Sequence, residues 1–239
     1  MKIVFASLEK LDFRNTVENV ILIESVEQLN NTTYEDTTYV LPVSEEYMGI
    51  IADAGNEVYI PFTELTVDHQ SLGWHVYFDL ENYPFYQKVK GLIDKEEKPK
   101  GVFRFRRMVK QYENNSLLTG DLYVLSSLLG EPQRIQVKQT DQTVIPVHTI
   151  ILMDFGGGTM AHIEYTVTNQ ERIELEWSGI KTILEFDSDQ MRPIQQGSKA
   201  SLPLAYSVDA ILATAQKVDQ VLVNRLNYFS NLFNGGAHS

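Results

Sequence analysis

Thr38-Tyr39-Val40-Leu41-Pro42-Val43-Ser44-Glu45-Glu46-Tyr47-Met48-Gly49-Ile50-Ile51-Ala52-Asp53-Ala54-Gly55-Asn56-Glu57-Val58-Tyr59-Ile60 decides the fold of the first part of this chain. The apolar run 38–41 stops at Pro42, as a buried strand does. Ser44 is a good N-cap residue, and Glu45 and Glu46 put negative charge into the first turn, where the helix dipole favours it. Met48, Ile51 and Ala52 recur at helical spacing, and Gly55 supplies the C-terminal stop. Residues 58–60 are the next strand. Strand, capped helix and strand in so short a stretch argue a parallel α/β layer.

The reading extends in both directions. Residues 2–6 and 19–24 are apolar and predict two more buried strands. Only about a dozen polar residues separate them, too few for a helical crossover between parallel neighbours. Residues 74–78 predict a further strand. Pro84 can open a helix whose apolar face is Tyr86, Val89 and Ile93.

From Gly101 the pattern changes. Residues 102–108 predict a strand, and 116–129 a helix that ends at Gly130-Glu131-Pro132. Strands follow at 134–140, 147–155, 159–168, 172–178 and 181–187. Gly156-Gly157-Gly158, Asn169-Gln170-Glu171 and Gly179 are read as hairpin connections between the last four. Ile173, Leu175 and Trp177 face one way, and Glu174 and Glu176 the other. Leu204, Val208, Ile211, Leu212, Ala215, Val218 and Leu222 mark one long amphipathic helix, and the tail 235–239 reads as disordered. The expected fold class is α/β plus α+β. A truncated Rossmann-like parallel sheet in a domain of residues 1–82 is followed by a larger, open, mostly antiparallel sheet with helices on one face in 83–239.

Composition narrows the function. Of 239 residues 43% are hydrophobic and 22% charged, as in ordinary globular chains, and the net charge is −12. That charge repels phosphate backbones and anionic lipid headgroups, so neither nucleic acid nor membrane is an expected partner. No cysteine is present, which removes disulfides, thiolate nucleophiles and cysteine metal sites, and fits a reducing compartment. The apolar start is too short for a signal-peptide core, so the cytoplasm is the expected location, and the sequons at Asn30-Asn31-Thr32 and Asn114-Asn115-Ser116 would stay unmodified.

Several segments, in order, resemble one family. Val40-Leu41-Pro42-Val43-Ser44 is similar to that family's strand ending in proline, ahead of a helix that leads to an alanine–glycine pair, here Ala54-Gly55. Val58-Tyr59-Ile60 resembles the strand that carries its Glu-Lys-Pro motif. Residues 74–78 with Tyr83-Pro84-Phe85-Tyr86 resemble the strand and helix at its domain junction. Residues 101–107 resemble the first strand of its second domain, Leu128-Leu129-Gly130-Glu131-Pro132 the end of its helix, and 155–162 its glycine-then-strand hairpin. The family is that of glucose–fructose oxidoreductase, inositol dehydrogenase and MocA-type proteins, which are NAD(P)-dependent oxidoreductases. The resemblance spans residues 19–227.

The departures shape the functional expectation. The family opens with a strand, then G-x-G-x-x-G, then a helix whose N-terminus holds the pyrophosphate. Here Ser7-Leu8-Glu9-Lys10-Leu11-Asp12-Phe13 follows the first strand, without a glycine and with two carboxylates where phosphates would lie. The family's first helix and second strand have no counterpart. Its catalytic lysine falls on Phe62. Its proton-transferring histidine falls on Gly120 and the acidic residue three further on falls on Tyr123, with Asp121 one position away. Neither Gly120 nor Tyr123 can carry a proton between donor and acceptor near neutral pH as histidine does.

Other groupings have plainer readings. Gly156-Gly157-Gly158 precedes a strand and is better read as a turn than as a phosphate loop. None of His69, His75, His148, His162 and His238 pairs with another at a metal-ligand spacing; His162 with Glu164, and Asp154 across the hairpin, come closest to an acid–base or metal group. Lys98, Lys100, Arg104, Arg106, Arg107 and Lys110 are a basic cluster, able to meet an anion but more simply a cross-strand charge pattern. Tyr77, Tyr83, Phe85 and Tyr86 are either a ligand wall or core packing.

The expected function is that of a catalytically inactive relative acting by binding. It would be a regulatory or scaffolding partner, as of an active paralogue, or a small-molecule sensor, with no cofactor. Its ligand cleft would comprise Tyr83, Tyr86, Arg104, Arg106, Asp121 and Tyr123. The alternative is an oxidoreductase using NAD or NADP on a sugar or polyol-like substrate. A third reading, a lyase or hydrolase, has only Asp79, Glu81 and Asp121 as titratable candidates. Residues 147–155 are apolar on both faces, and the family's open sheet face commonly makes a subunit contact, which implies a homodimer through the second domain.

Overall fold

Two six-stranded sheets, one in each of two units, organise the chain in the computed structural model, which describes residues 1–31, 36–52, 55–66, 68–95, 99–110, 115–141, 145–190 and 204–234. In chain order the elements are β1 (Lys2–Phe5), β2 (Val20–Leu22), α1 (Val26–Asn31), β3 (Thr38–Leu41), α2 (Glu45–Ile51), β4 (Glu57–Pro61), α3 (His69–Leu72), β5 (His75–Tyr77), α4 (Asp79–Asn82) and α5 (Pro84–Ile93). Then come β6 (Gly101–Val109), α6 (Ser116–Leu129), β7 (Arg134–Gln139), β8 (His148–Gly156), β9 (Thr159–Val167), β10 (Arg172–Gly179), β11 (Ile183–Asp187), α7 (Val208–Thr214), β12 (Gln216–Lys217) and α8 (Gln220–Asn234). The expectations for Ala54, Lys98, Asn114, His238 and the tail 235–239 lie outside the described residues, as does Thr32 of the first sequon.

The first sheet has the order β12-β5-β4-β1-β3-β2, with β1 to β5 parallel. Ile3, Val4, Phe5, Tyr39, Val40, Leu41, Val58 and Ile60 are buried, as expected of strands covered on both faces. Ser44 does cap α2: its Oγ accepts from the Tyr47 N–H at 3.4 Å. The short link from β1 to β2 still crosses a strand, because β3 lies between them. It does so on two 3-10 turns, Leu8–Lys10 and Phe13–Asn15, and the Asp12 carboxylate accepts from the Arg14 N–H at 3.1 Å to cap the second.

The chain returns to this sheet near its end, which corrects two expectations. The first unit comprises Met1–Pro84 and Leu204–Asn224, and the second Phe85–Pro203 and Arg225–Ser239, so the division is not a single cut between 82 and 83. The single long C-terminal helix is instead α7, a short strand and α8. Ser207 caps α7, and Ala215 is extended. β12 then pairs antiparallel with the open edge of β5, and the Val218 N–H donates to the Trp74 carbonyl at 2.9 Å. Val218 falls on the helical period and is buried, but its N–H donates across to Trp74 instead of continuing a helix.

The second sheet has the order β11-β10-β6-β9-β8-β7 and is antiparallel except for the β6–β9 pair. Asn169-Gln170-Glu171 is therefore not a hairpin, since β6 separates β9 from β10. Phe103, Phe105, Ile151, Met153, Ile163, Tyr165, Ile173, Leu175 and Trp177 form the buried face. The fold is thus a Rossmann-like parallel sheet followed by an open, mostly antiparallel one. Among the described residues no helix is long and apolar enough to cross a membrane.

Candidate functional site

From β1 the chain runs outward to β3 and β2 on one side, and β4 and β5 lie on the other. The crevice outside the carboxyl ends of β1 and β4 is therefore the switch point where open α/β sheets hold ligands. Here the chain itself occupies that crevice. The Lys10 and Leu11 N–H groups turn back to the Ser7 and Leu8 carbonyls, at 3.0 and 3.2 Å. The Asp12 N–H donates to the Tyr206 carbonyl at 2.9 Å, and the Tyr206 N–H donates to the Lys10 carbonyl at 3.0 Å. The Tyr206 hydroxyl donates to Asp79 at 2.8 Å, and the other Asp79 oxygen accepts from Lys10 Nζ at 2.7 Å. The Tyr206 ring lies 6.2 Å from that of Tyr77 and 5.6 Å from that of Tyr83, and the Tyr77 hydroxyl donates to the Phe5 carbonyl at 2.8 Å. Since β4 separates β1 from β5, a residue tied to the turn after β1 and to the helix after β5 crosses the end of β4.

Burial, reinforced by the charge of Asp79, pushes the Tyr206 and Tyr77 hydroxyls well above their ordinary pKa, so both stay neutral donors. The Arg14 guanidinium, bonded to the Asp12 carboxylate at 2.8 and 3.0 Å, holds that carboxyl below its ordinary value. In this arrangement the residues do not fit a pyrophosphate. No glycine opens the turn, Asp12 and Asp79 put two carboxylates in or beside the crevice, and the Asp12 N–H is already taken.

The position aligned with the family's lysine, Phe62, opens a 3-10 turn after β4 and stacks on Phe78, ring centres 5.2 Å apart. Tyr83 is fully buried in the same unit. Gly120, the histidine position, and Asp121 sit on α6 in the second unit, both buried. Asp121 accepts from Arg107 Nη1 at 2.9 and 3.1 Å and from the Tyr165 hydroxyl at 2.7 Å, while Arg107 Nη2 reaches Glu171 at 3.1 Å. Tyr123 is buried under the Arg225 guanidinium, 5.3 Å from its ring centre, and the Tyr86 hydroxyl donates to the Val124 carbonyl at 3.2 Å.

Arg104 and Arg106 lie elsewhere. On β6 alternate side chains point to opposite faces, so Arg107 is buried with Phe103 and Phe105, while Arg104 and Arg106 are exposed. The expected cleft of Tyr83, Tyr86, Arg104, Arg106, Asp121 and Tyr123 is thus not one site: the two arginines are on the face of the sheet away from α6. Asp79 and Asp121 are not available to a hydrolytic group, since Asp79 holds Lys10 and Tyr206 and Asp121 holds Arg107 and Tyr165. Two residues were missed as site members. Arg107 had a signal, its parity with two phenylalanines; Tyr206 had none, being read as helix.

The open face forms a groove of about 720 Å³. Arg106 bridges Glu164 and Glu174 at 2.9 and 2.8 Å, Arg104 pairs with Glu176 at 2.5 Å, and Arg172 reaches Glu174 and Asp187 at 2.8 and 2.7 Å. This is a cross-strand charge ladder on a wet surface. His162 lies 3.3 Å from Glu164, but Asp154 pairs with Met160 and joins neither. Among the described residues no group of three or more His, Cys, Asp or Glu side chains could hold a metal ion. Gly156, Gly157 and Gly158, at φ 72, 63 and 92°, turn β8 into β9 in the left-handed region that glycine tolerates.

The chain has the fold of the glucose–fructose oxidoreductase, inositol dehydrogenase and MocA-type family. A probable dehydrogenase from Thermotoga maritima matches 97% of this chain and 86% of its own, at 11% identity and a TM-score of 0.53. A protein of Sinorhizobium meliloti 1021 assigned as a myo-inositol dehydrogenase matches 90% and 75%, at 12% identity and 0.51. GenD2 from gentamicin A biosynthesis, in complex with NAD, matches 89% and 70%, at 10% identity and 0.48. No family model and no curated protein matches the sequence. One expectation is corrected by these likenesses. The expectation of no cofactor does not stand against them, because the structures that share the fold are named as dehydrogenases.

Proposed function

We propose that this chain works by binding on an oxidoreductase scaffold and that it does not turn over a substrate. The observation that carries the reading is the lack of a proton acceptor at the two aligned positions. Oxidising an alcohol requires a base within hydrogen-bond reach of the hydroxyl. Phe62 is stacked on Phe78, Gly120 has no side chain, and the neighbouring Asp121 is committed to Arg107 and Tyr165. The binding role is that of a sensor, or of a regulatory or scaffolding partner of an active paralogue, in the cytoplasm.

The test is a panel of sugars and polyols offered to the full chain with NAD or NADP, followed by nicotinamide absorbance. No enzyme-dependent change is expected, and reduction with any substrate overturns the reading. The names of the fold's neighbours favour a second reading, an NAD(P)-dependent oxidoreductase acting on a sugar or polyol-like substrate, which the same panel would reveal.

A homodimer through the open face of the second sheet belongs to the same proposal. It is supported by Ile150 and Leu152, each 39% exposed, and by Met160 and Ile183 on that face. Light scattering at tens of micromolar should give twice the chain mass; a monomer contradicts it.

A further inference from the structure

The two edges of the first sheet are not alike. At one, β12, a two-residue strand that carries Lys217, pairs with β5 and ends the sheet. At the other lies β2. We propose that β2 takes up an extended segment of another protein, apolar at alternate positions and basic at both ends, as an added strand of this sheet. The proposal goes beyond the binding reading above and does not depend on it.

The main chain supplies the recognition. Along a strand the N–H and C=O groups of successive residues point to opposite sides. The Asn19 carbonyl accepts from the Thr38 N–H and the Ile23 N–H donates to the Val40 carbonyl, both at 3.0 Å, so Asn19, Ile21 and Ile23 face β3. Val20 and Leu22 turn their N–H and C=O groups to the open edge, where no strand pairs with them among the described residues. This edge is held at both ends before anything binds. The Asp209 carboxylate accepts from the Val17 and Glu18 N–H groups at 2.5 and 3.1 Å, and Gln28 Oε1 accepts from the Glu24 N–H at 2.9 Å. A strand that adds here meets a preformed ladder, so little freedom is lost on the side of this chain.

The side chains set which strand fits. Val17 is 93% exposed and Leu22 38%, so apolar surface lies along the edge. Glu18 and Glu24, both exposed, flank β2. At its N-terminal end a pocket of about 330 Å³ is lined by the carboxylates of Glu18, Asp36 and Glu57, with Met1 and with Lys2, whose Nζ is 3.9 Å from Glu18. A lysine or arginine at either end of the added strand therefore meets carboxylates, and an acidic strand is repelled. A second copy of this chain fits poorly for the same reason. The antiparallel register that sets Val20 opposite Leu22 also sets Glu18 opposite Glu24, a pair of like charges.

The test uses the full chain and a fluorescent peptide, Lys-Lys-Val-Thr-Val-Thr-Val-Lys-Lys, followed by anisotropy. Saturable binding is expected. The same peptide N-methylated at its Val and Thr residues keeps the charge but loses the main-chain donors, and should bind about tenfold more weakly or worse. Leu22→Pro leaves the β2–β3 pairing whole, because the Leu22 N–H points away from β3, and should weaken the peptide by about the same factor. Glu18→Lys combined with Glu24→Lys should reverse the preference, so that a peptide with glutamates in place of the lysines binds better than the original. Should Leu22→Pro fail to fold, the N-methylated peptide and the charge reversal decide the matter. No saturable binding, equal binding of the N-methylated peptide, or an unreversed preference in the double variant overturns the proposal. So does a wild-type dimer that Leu22→Pro dissolves, since a second copy would then hold the edge.

Discussion

One strand carries two kinds of arginine. Arg107 on β6 is fully buried between Asp121 and Glu171, whereas Arg104 and Arg106, on the same strand with the other parity, are about half exposed in a ladder of carboxylates. The residue type is the same and the distances are similar. What differs is water. A buried guanidinium has given up its hydration and depends on its partners, whereas an exposed one exchanges carboxylate for solvent at little cost. The comparison explains why the charge cluster of this sequence is two groups rather than one: its most constrained member joins a helix to a sheet, and Arg104 and Arg106 lie on the open face.

The largest expected effect breaks the buried side. Asp121→Ala should destabilise the protein by about 3–5 kcal/mol in denaturant unfolding, because Arg107 would stay buried without its main counter-charge. A loss under 1 kcal/mol would mean that water reaches the pair and that the contrast with Arg106 is false.

An intermediate case sharpens the comparison. The Asp12 carboxylate is buried while its partner Arg14 is half exposed. Its pKa is lowered in the folded state, chiefly by hydrogen bonds from Arg14. Its contribution is therefore fully present above the ordinary carboxylate range and is lost as pH falls through the folded value. Asp12→Asn should flatten the acid limb of the stability curve relative to wild type. An unchanged acid limb would assign that dependence to other carboxylates.

The smallest effect lies on the open face. Arg106→Ala should change stability by about 0–1 kcal/mol, and less at high salt, measured by the same unfolding experiment.

The parallel half of the fold was legible because its signals are local. The strand at 38–41, the Ser44 cap and the strand at 58–60 each need only their neighbours in sequence, and the structure has β3, α2 and β4 there. The pairing of β6 with β9 was not legible, because nothing in either strand specifies a parallel partner nearly sixty residues away. The broken C-terminal helix was hidden because Val218 falls on the helical period and is buried by other means. The candidate site suffered most. Its alignment placed Phe62 and Gly120, but the closure of the crevice depends on Tyr206, whose partners Lys10, Asp12 and Asp79 are brought to it only by the return of the chain.

The central claim, binding without hydride transfer, is tested most directly by isotope transfer. The full chain is incubated with NAD and a panel of carbon-deuterated polyols, and the nucleotide is analysed by mass spectrometry, which detects turnover too slow for absorbance. The account predicts no deuterium in NADH above the protein-free control; enzyme-dependent deuterated NADH from any one polyol would contradict it.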